Sequence, residues 1–253
     1  VSFLLVLPLF AWLISGDVAA LSDLFDRVFG TALPAPALAA APLRYALGAA
    51  AATGLFAGVL IHEFGHALVA RRYGYEIESI TLWLFGGVAR LTEMPEHWRH
   101  ELAIAVAGPL VSVALGVLTG LLLLVVPSGV PSVRFVTAYL ALTNVALAVF
   151  NMLPGFPMDG GRVLRALLAR TRPYATATKQ AAEVGKGFAL LLGLFGLFTN
   201  LLLIALAFFI YMAASSEAQQ TAMRAVFEDV VVADVMTPRD RLDAVAEHRV
   251  AGV

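Results

Sequence analysis

Residues 43–70 read LRYALGAAAATGLFAGVLIHEFGHALVA, and this stretch decides the fold class. From Tyr45 to Ile61 it carries no charge, and it is longer than the about 20 residues a helix needs to cross a bilayer core. It closes on His62-Glu63-Phe64-Gly65-His66, an H-E-x-x-H signature. Residues four apart share a helix face, so His62 and His66 can grip one zinc ion while Glu63 reaches a water beside it. Three ionisable groups at membrane depth are costly and need a reason to be there. The stretch predicts a membrane span that carries chemistry.

Composition agrees. The chain of 253 residues is 60% apolar and 14% charged, with a mean hydropathy of +0.85. Soluble domains hold about 45–50% apolar and about 25% charged residues. The net charge of -1 gives no case for nucleic acid as a partner. Cysteine is absent, which removes disulfides and thiolate zinc sites and leaves His, Asp and Glu as ligands. Residues 1–16 lack the basic start and cleavage site of a signal peptide; Val1 to about Ser15 reads as a short first span, trimmed at its start.

Working outward, the acidic and then Ala/Pro-rich stretch Asp17 to Pro42 reads as a loop before the second span, Leu43 to Ala70. A third span covers about Leu102 to Val126, Pro127 to Pro131 makes a tight turn, and a fourth covers about Phe135 to Leu153. The apolar stretch Gly185 to Ala214 is either one long tilted helix or, extended back to Thr176, two helices. These would run from Thr176 to Phe198 and from Leu201 to Ala214, with Thr199-Asn200 as the turn. Arg71, Arg72, Arg90 and Arg99 follow the second span, and Arg162, Arg165, Arg170, Arg172 and Lys179 follow the fourth. The positive-inside rule puts both groups in the cytoplasm, and six spans then return the C-terminal tail there. Between Tyr73 and Glu93 the β-favouring run Tyr75 to Leu84, interrupted at Phe85-Gly86-Gly87-Val88, reads as a hairpin at the cytoplasmic face. The expected fold is an all-α polytopic membrane protein with six transmembrane helices and a short membrane-associated β-hairpin after the second.

Catalytic zinc usually takes three protein ligands and keeps a fourth position for water. The candidate third ligand is Asp159, the only carboxylate between Glu101 and Glu183. It lies in Asn151-Met152-Leu153-Pro154-Gly155-Phe156-Pro157-Met158-Asp159-Gly160-Gly161-Arg162, where two prolines break the fourth helix and Gly160-Gly161 lets the backbone bend close. The blander reading is a helix-ending turn with Asp159 capping a helix that starts near Arg162.

The H-E-F-G-H and N-M-L-P-G-F-P-M-D-G-G-R segments, with F-G-G-V-A and the A-x-A-G-P of Ala105 to Pro109 between them, resemble the site-2 protease family of zinc intramembrane metalloproteases. The resemblance covers roughly residues 45–215. It implies one zinc ion per chain on His62, His66 and Asp159, with Glu63 as general base. It further implies that Asn151 holds substrate or oxyanion, and that Gly86, Gly87 and Val88 offer a strand edge to an unwound substrate segment. The implied substrate is a membrane protein with a transmembrane segment, cleaved in a prokaryotic-type cell membrane with active site and tail toward the cytoplasm. Which substrate, and whether the chain forms a homo-oligomer, stay open.

Two domains are expected: residues 1–215, a membrane-embedded zinc metalloprotease, and 216–253, a linker and the opening of a CBS-type regulatory domain. The run Val230 to Pro238 resembles that opening, and an adenine nucleotide, which such domains often bind, would need the part beyond Val253. Among competing readings, Glu183 is the nearest acidic third ligand of another protease type. A membrane metal transporter or sensor built on His62 and His66 would need no general base, and a scaffold acting through Gly86-Gly87 would need no metal. His97 and His100, around Trp98-Arg99, read as interfacial anchors. Asn144 reads as an interhelical hydrogen-bond group, and Lys186 as a side chain snorkelling from near a helix end.

Overall fold

The computed structural model describes the backbone of residues 2–83, 86–91 and 97–227, and the side chains of 5–79 and 97–224. In chain order the elements are α1 (Ser2–Gly16), α2 (Val18–Phe29), α3 (Ala35–Leu38), α4 (Leu43–Arg72), β1 (Ile77–Trp83), β2 (Gly86–Leu91), α5 (Trp98–Val125), α6 (Pro131–Asn151), α7 (Asp159–Leu168), α8 (Tyr174–Thr199) and α9 (Leu201–Phe227). The fold is a mostly helical, polytopic membrane architecture.

Among the described residues, five helices are long and apolar enough to cross a membrane: α4, α5, α6, α8 and α9. The α1–α2 pair, bent by 70°, makes a sixth only if both halves form one span. Asn200 resolves the ambiguity in the last apolar stretch. It leaves the helical conformation, and its Oδ1 accepts from Leu202 N at 2.9 Å, so the side chain caps α9 while α8 stops at Thr199. Two helices result, not one tilted rod. Leu190, Leu194 and Phe198 on α8 and Leu201 and Phe208 on α9 are each more than half exposed, as lipid-facing positions would be.

The expected loop from Asp17 to Pro42 is corrected: most of it is helical. Val18, Ser22 and Phe25 recur every three to four residues and form the buried face of α2. Phe25 meets Phe135 of α6 edge to face, with centroids 5.3 Å apart. Asp17 precedes the helix and Asp23 and Asp26 lie off its buried face, which is why their density read as loop. Gly30, at φ 63, ends the helix in the left-handed conformation glycine favours.

α4 packs against α1, α5 and α6. Its buried positions include Ala51, Ala52, Ala67 and Ala70, whose small side chains let neighbouring helices approach closely. Past its C-terminus, β1 and β2 pair antiparallel, with Trp83 opposite Gly86, Leu82 opposite Gly87 and Thr81 opposite Val88. The side chains of residues 80–96 lie outside the described set, as does the CBS-like run Val230 to Pro238.

Candidate metal centre

The last turns of α4 carry His62, Glu63 and His66, which are 3%, 8% and 5% exposed. The two imidazoles lie one turn apart, and their Nε2 atoms are 3.1 Å from each other. Asp159, almost a hundred positions later, places Oδ2 3.2 Å from each of those nitrogens. Donors bound tetrahedrally to zinc at its usual bond lengths stand about 3.3 Å apart, so the three atoms already have the spacing of three corners of a zinc site. Among the described residues this is the one group of metal-ligating side chains close enough to share an ion.

The far side of each ring is also held. His66 Nδ1 lies 2.7 Å from the carbonyl oxygen of Ile104, which can only accept, so Nδ1 carries the proton and Nε2 presents its lone pair to the site. His62 Nδ1 pairs with Ser112 Oγ at 2.8 Å. Between these two contacts on α5 sits Gly108. A Cβ there would stand 2.2 Å from His66 Nε2 and 2.7 Å from His62 Nε2, so the space the donors face exists because this residue has no side chain. Ile104, Gly108 and Ser112 are spaced four apart and form one face of α5. The donor set, its fixed ring orientations and the clearance at Gly108 all fit zinc.

Asp159 arrives by an interrupted helix. α6 ends at Asn151, Pro154 and Pro157 occupy the connection, and Met158 precedes α7 in extended conformation. The first turn of α7 then nests against that connection: a Cβ on Gly161 would meet Gly155 C and Phe156 N at 2.5 Å. Asp159 is the first residue of α7, where the helix dipole favours a carboxylate.

The other sequence-derived candidates fall elsewhere. Asn151 donates Nδ2 to Leu147 O of its own helix at 3.0 Å, and no hydrogen bond joins it to the triad among the described residues. Glu183 is 60% exposed and pairs with Lys186 at 3.0 Å, so the alternative third ligand is overturned. Lys186 itself sits mid-way along α8, over the Tyr211 ring of α9, and not near a helix end. Asn144 bonds to Leu140 O within its own helix, at 2.8 Å, where an interhelical partner was expected. His97 caps α5, and His100 stacks on Tyr73 with centroids 4.2 Å apart. Gly86, Gly87 and Val88 lie in β2, paired to β1 along one edge.

Ser112 and the Ile104 carbonyl were not singled out from sequence. The signal was present as their four-residue spacing about Gly108, just before and just past the A-x-A-G-P run. Ser112→Ala should weaken metal affinity by about 10–100-fold, the usual cost of losing a ring-orienting partner. Zinc titration against a competing chelator measures it, and unchanged affinity would show that Ser112 does not orient His62.

Fold and site together define a polytopic membrane protein in which two histidines and one aspartate converge closely enough to hold a metal ion. The chain matches the model of Peptidase family M50 over residues 50–132 and 128–194, and it belongs to that family. It is 41% identical over 192 residues to zinc metalloprotease MJ0392 of Methanocaldococcus jannaschii, covering 73% of this chain and 54% of that one. It is 38% identical over 248 residues to Rip3 of Mycobacterium tuberculosis, covering 93% and 59% respectively. The chain thus spans little more than half the length of these curated relatives. Among solved structures it is similar to the site-2 protease from Methanocaldococcus jannaschii, with a TM-score of 0.55 and 40% identity over 68% of this chain and 78% of that one.

Proposed function

We propose that this chain is the membrane-embedded catalytic part of a zinc endopeptidase that hydrolyses peptide bonds within or near transmembrane segments of membrane-protein substrates. The observation that carries the reading is the convergence of His62, His66 and Asp159, from α4 and α7, on one buried point in a bundle of membrane-length helices.

In this reading His62 Nε2, His66 Nε2 and Asp159 Oδ2 hold the ion, and Ser112 and Ile104 keep the rings aimed at it. Zinc bound there supplies Lewis acidity toward water and toward a peptide carbonyl. Glu63 takes a proton from water as the new carbon–oxygen bond forms. It then delivers that proton to the amide nitrogen as the carbon–nitrogen bond breaks. Asn151 holds substrate near the scissile bond, its Nδ2 exchanging Leu147 O for a substrate carbonyl. A transmembrane helix hides its carbonyls in hydrogen bonds and must unwind to be cut, and an edge of the β1–β2 pair at Gly86 to Val88 satisfies the freed backbone groups. This gives the hairpin a place at the membrane surface.

The proposed setting is a prokaryotic-type cell membrane with the site toward the cytoplasm, and Arg71, Arg72 and Arg99 at helix ends support that orientation. Residues 1–215 form the catalytic domain and 216–253 lead into the CBS-type segment, although α9 runs unbroken through position 215.

Metal analysis of the detergent-purified protein beside cleavage of a model transmembrane peptide tests the reading. About one zinc per chain, with cleavage abolished by chelation and restored by zinc, is the expected result. Bound zinc without cleavage of any membrane peptide would favour a metal sensor or transporter instead.

A further inference from the structure

Among the described residues, apart from the metal donors and Glu63, one buried charge cluster is left without a role. Arg165 of α7 is 1% exposed. Its Nε donates to Glu101 Oε1 at 2.6 Å, its Nη2 pairs with the same oxygen, and its Nη1 donates to Glu217 Oε1 at 2.8 Å. The guanidinium also lies 4.8 Å from the ring centroids of both Phe156 and Tyr174.

This cluster joins three helices. Glu101 is in the first turn of α5, the helix that supplies Ile104 O and Ser112 to the histidine rings. Arg165 is on α7, the helix that opens with Asp159. Glu217 is on α9. Ala214 and Ala218 of α9, one on each side of Glu217, pack in the cluster that contains Phe156 and Leu164. Thus α9 rests on residues that flank Asp159 in the chain, while Arg165 ties α7 to the helix that orients the two histidines.

The two carboxylates differ in a way that matters. Glu101 is 4% exposed, and its Oε2 is buried with no partner among the described residues. Pulling it off the guanidinium would strand a buried charge. Glu217 is 27% exposed and can pass its charge to water. One guanidinium facing two carboxylates is net negative, and releasing Glu217 leaves the neutral Arg165–Glu101 pair. The Glu101 contact is the fixed fastening and the Glu217 contact the one that can open.

We propose that Arg165 is a positioning residue for Asp159 and that Glu217 is a releasable latch through which the lie of α9 sets the grip of the metal site. The proposal rests on reading His62, His66 and Asp159 as that site. α9 continues past Glu217 to Phe227 and so provides a lever. Displacing that end opens the exposed Glu217 contact first. α7 then loses its tie to α9, the guanidinium re-seats on Glu101 alone, and Asp159 Oδ2 moves relative to nitrogens that α5 holds in place.

The test uses the full chain in detergent with cobalt(II) in place of zinc. It reads affinity by chelator competition, the visible d–d absorption bands, and Tm. Glu217→Gln is expected to weaken cobalt affinity about 10-fold and alter the band intensities, at nearly unchanged Tm. Arg165→Lys, which keeps the charge, should retain part of the affinity that Arg165→Met loses. Should Arg165→Met not fold, Glu217→Gln and Arg165→Lys still decide the matter. Glu183→Gln, which breaks only the exposed pair on α8, should change none of these readouts.

Wild-type affinity and spectrum in Glu217→Gln and Arg165→Lys, with or without a lowered Tm, would overturn the latch and leave a purely structural ion cluster. A wild-type protein that takes up no cobalt would overturn the metal site, and the latch with it.

Discussion

Replacing Glu63 by glutamine is expected to leave zinc content unchanged and to lower cleavage by about 10²–10⁴-fold, the contribution a positioned general base makes. The reasoning is local. Glu63 adjoins His62 in sequence but is not among the three converging donors, so the ion does not depend on it. It is 8% exposed on a membrane-length helix, and glutamine keeps its volume while removing a charge that is expensive to bury. What glutamine cannot do is accept a proton from water and return it to an amine. Zinc content and initial cleavage rates on the same preparation give the answer. A Glu63→Gln protein cleaving at more than a tenth of the wild-type rate would sink the general-base role, and one that lost its zinc would show Glu63 to be part of the metal site.

Asp159→Ala is expected to fail in the complementary way, with zinc and cleavage lost together. Only two donors would then remain, both on α4, and their shared oxygen partner 3.2 Å away would be gone. A direct ligand should cost more than the about 10–100-fold of an orienting partner. The fold should survive. Asp159 is the first residue of α7, and losing its favourable interaction with the helix dipole costs about 0.3–1 kcal/mol. Equilibrium dialysis against buffered zinc, with circular dichroism as the folding control, separates the cases. Wild-type zinc in a folded Asp159→Ala protein would mean that the third ligand lies elsewhere.

These two expectations were reachable from sequence because each rests on a short-range rule. His62 and His66 meet because α-helical periodicity brings residues four apart to one face. Asp159 stood out because no other carboxylate lies between Glu101 and Glu183, and because the prolines and glycines around it announce an interrupted helix. The span pattern was legible for the same kind of reason, since hydropathy over about 20 residues is a property of the local chain. Where that signal was diluted, as in α2 with Asp17 before it and Asp23 and Asp26 off its buried face, a helix read as a loop.

Arg165 marks the limit of such reading. By sequence it is one more cation after the fourth span, counted as cytoplasmic charge. In the fold it is buried between Glu101 and Glu217, residues that precede and follow it by more than fifty positions. Ser112, Gly108 and the Ile104 carbonyl are similar cases, because their roles exist only where α5 lies against the last turns of α4. The sequence by itself determined the membrane class, most of the spans, and which three side chains, with the adjacent glutamate, to look for together. Only the tertiary structure decided how those donors are oriented, what clears the space before them, and which helices are tied to the site. Helical periodicity is written along the chain, whereas a ring's hydrogen-bond partner or a buried ion's counter-charge depends on which distant surfaces pack together.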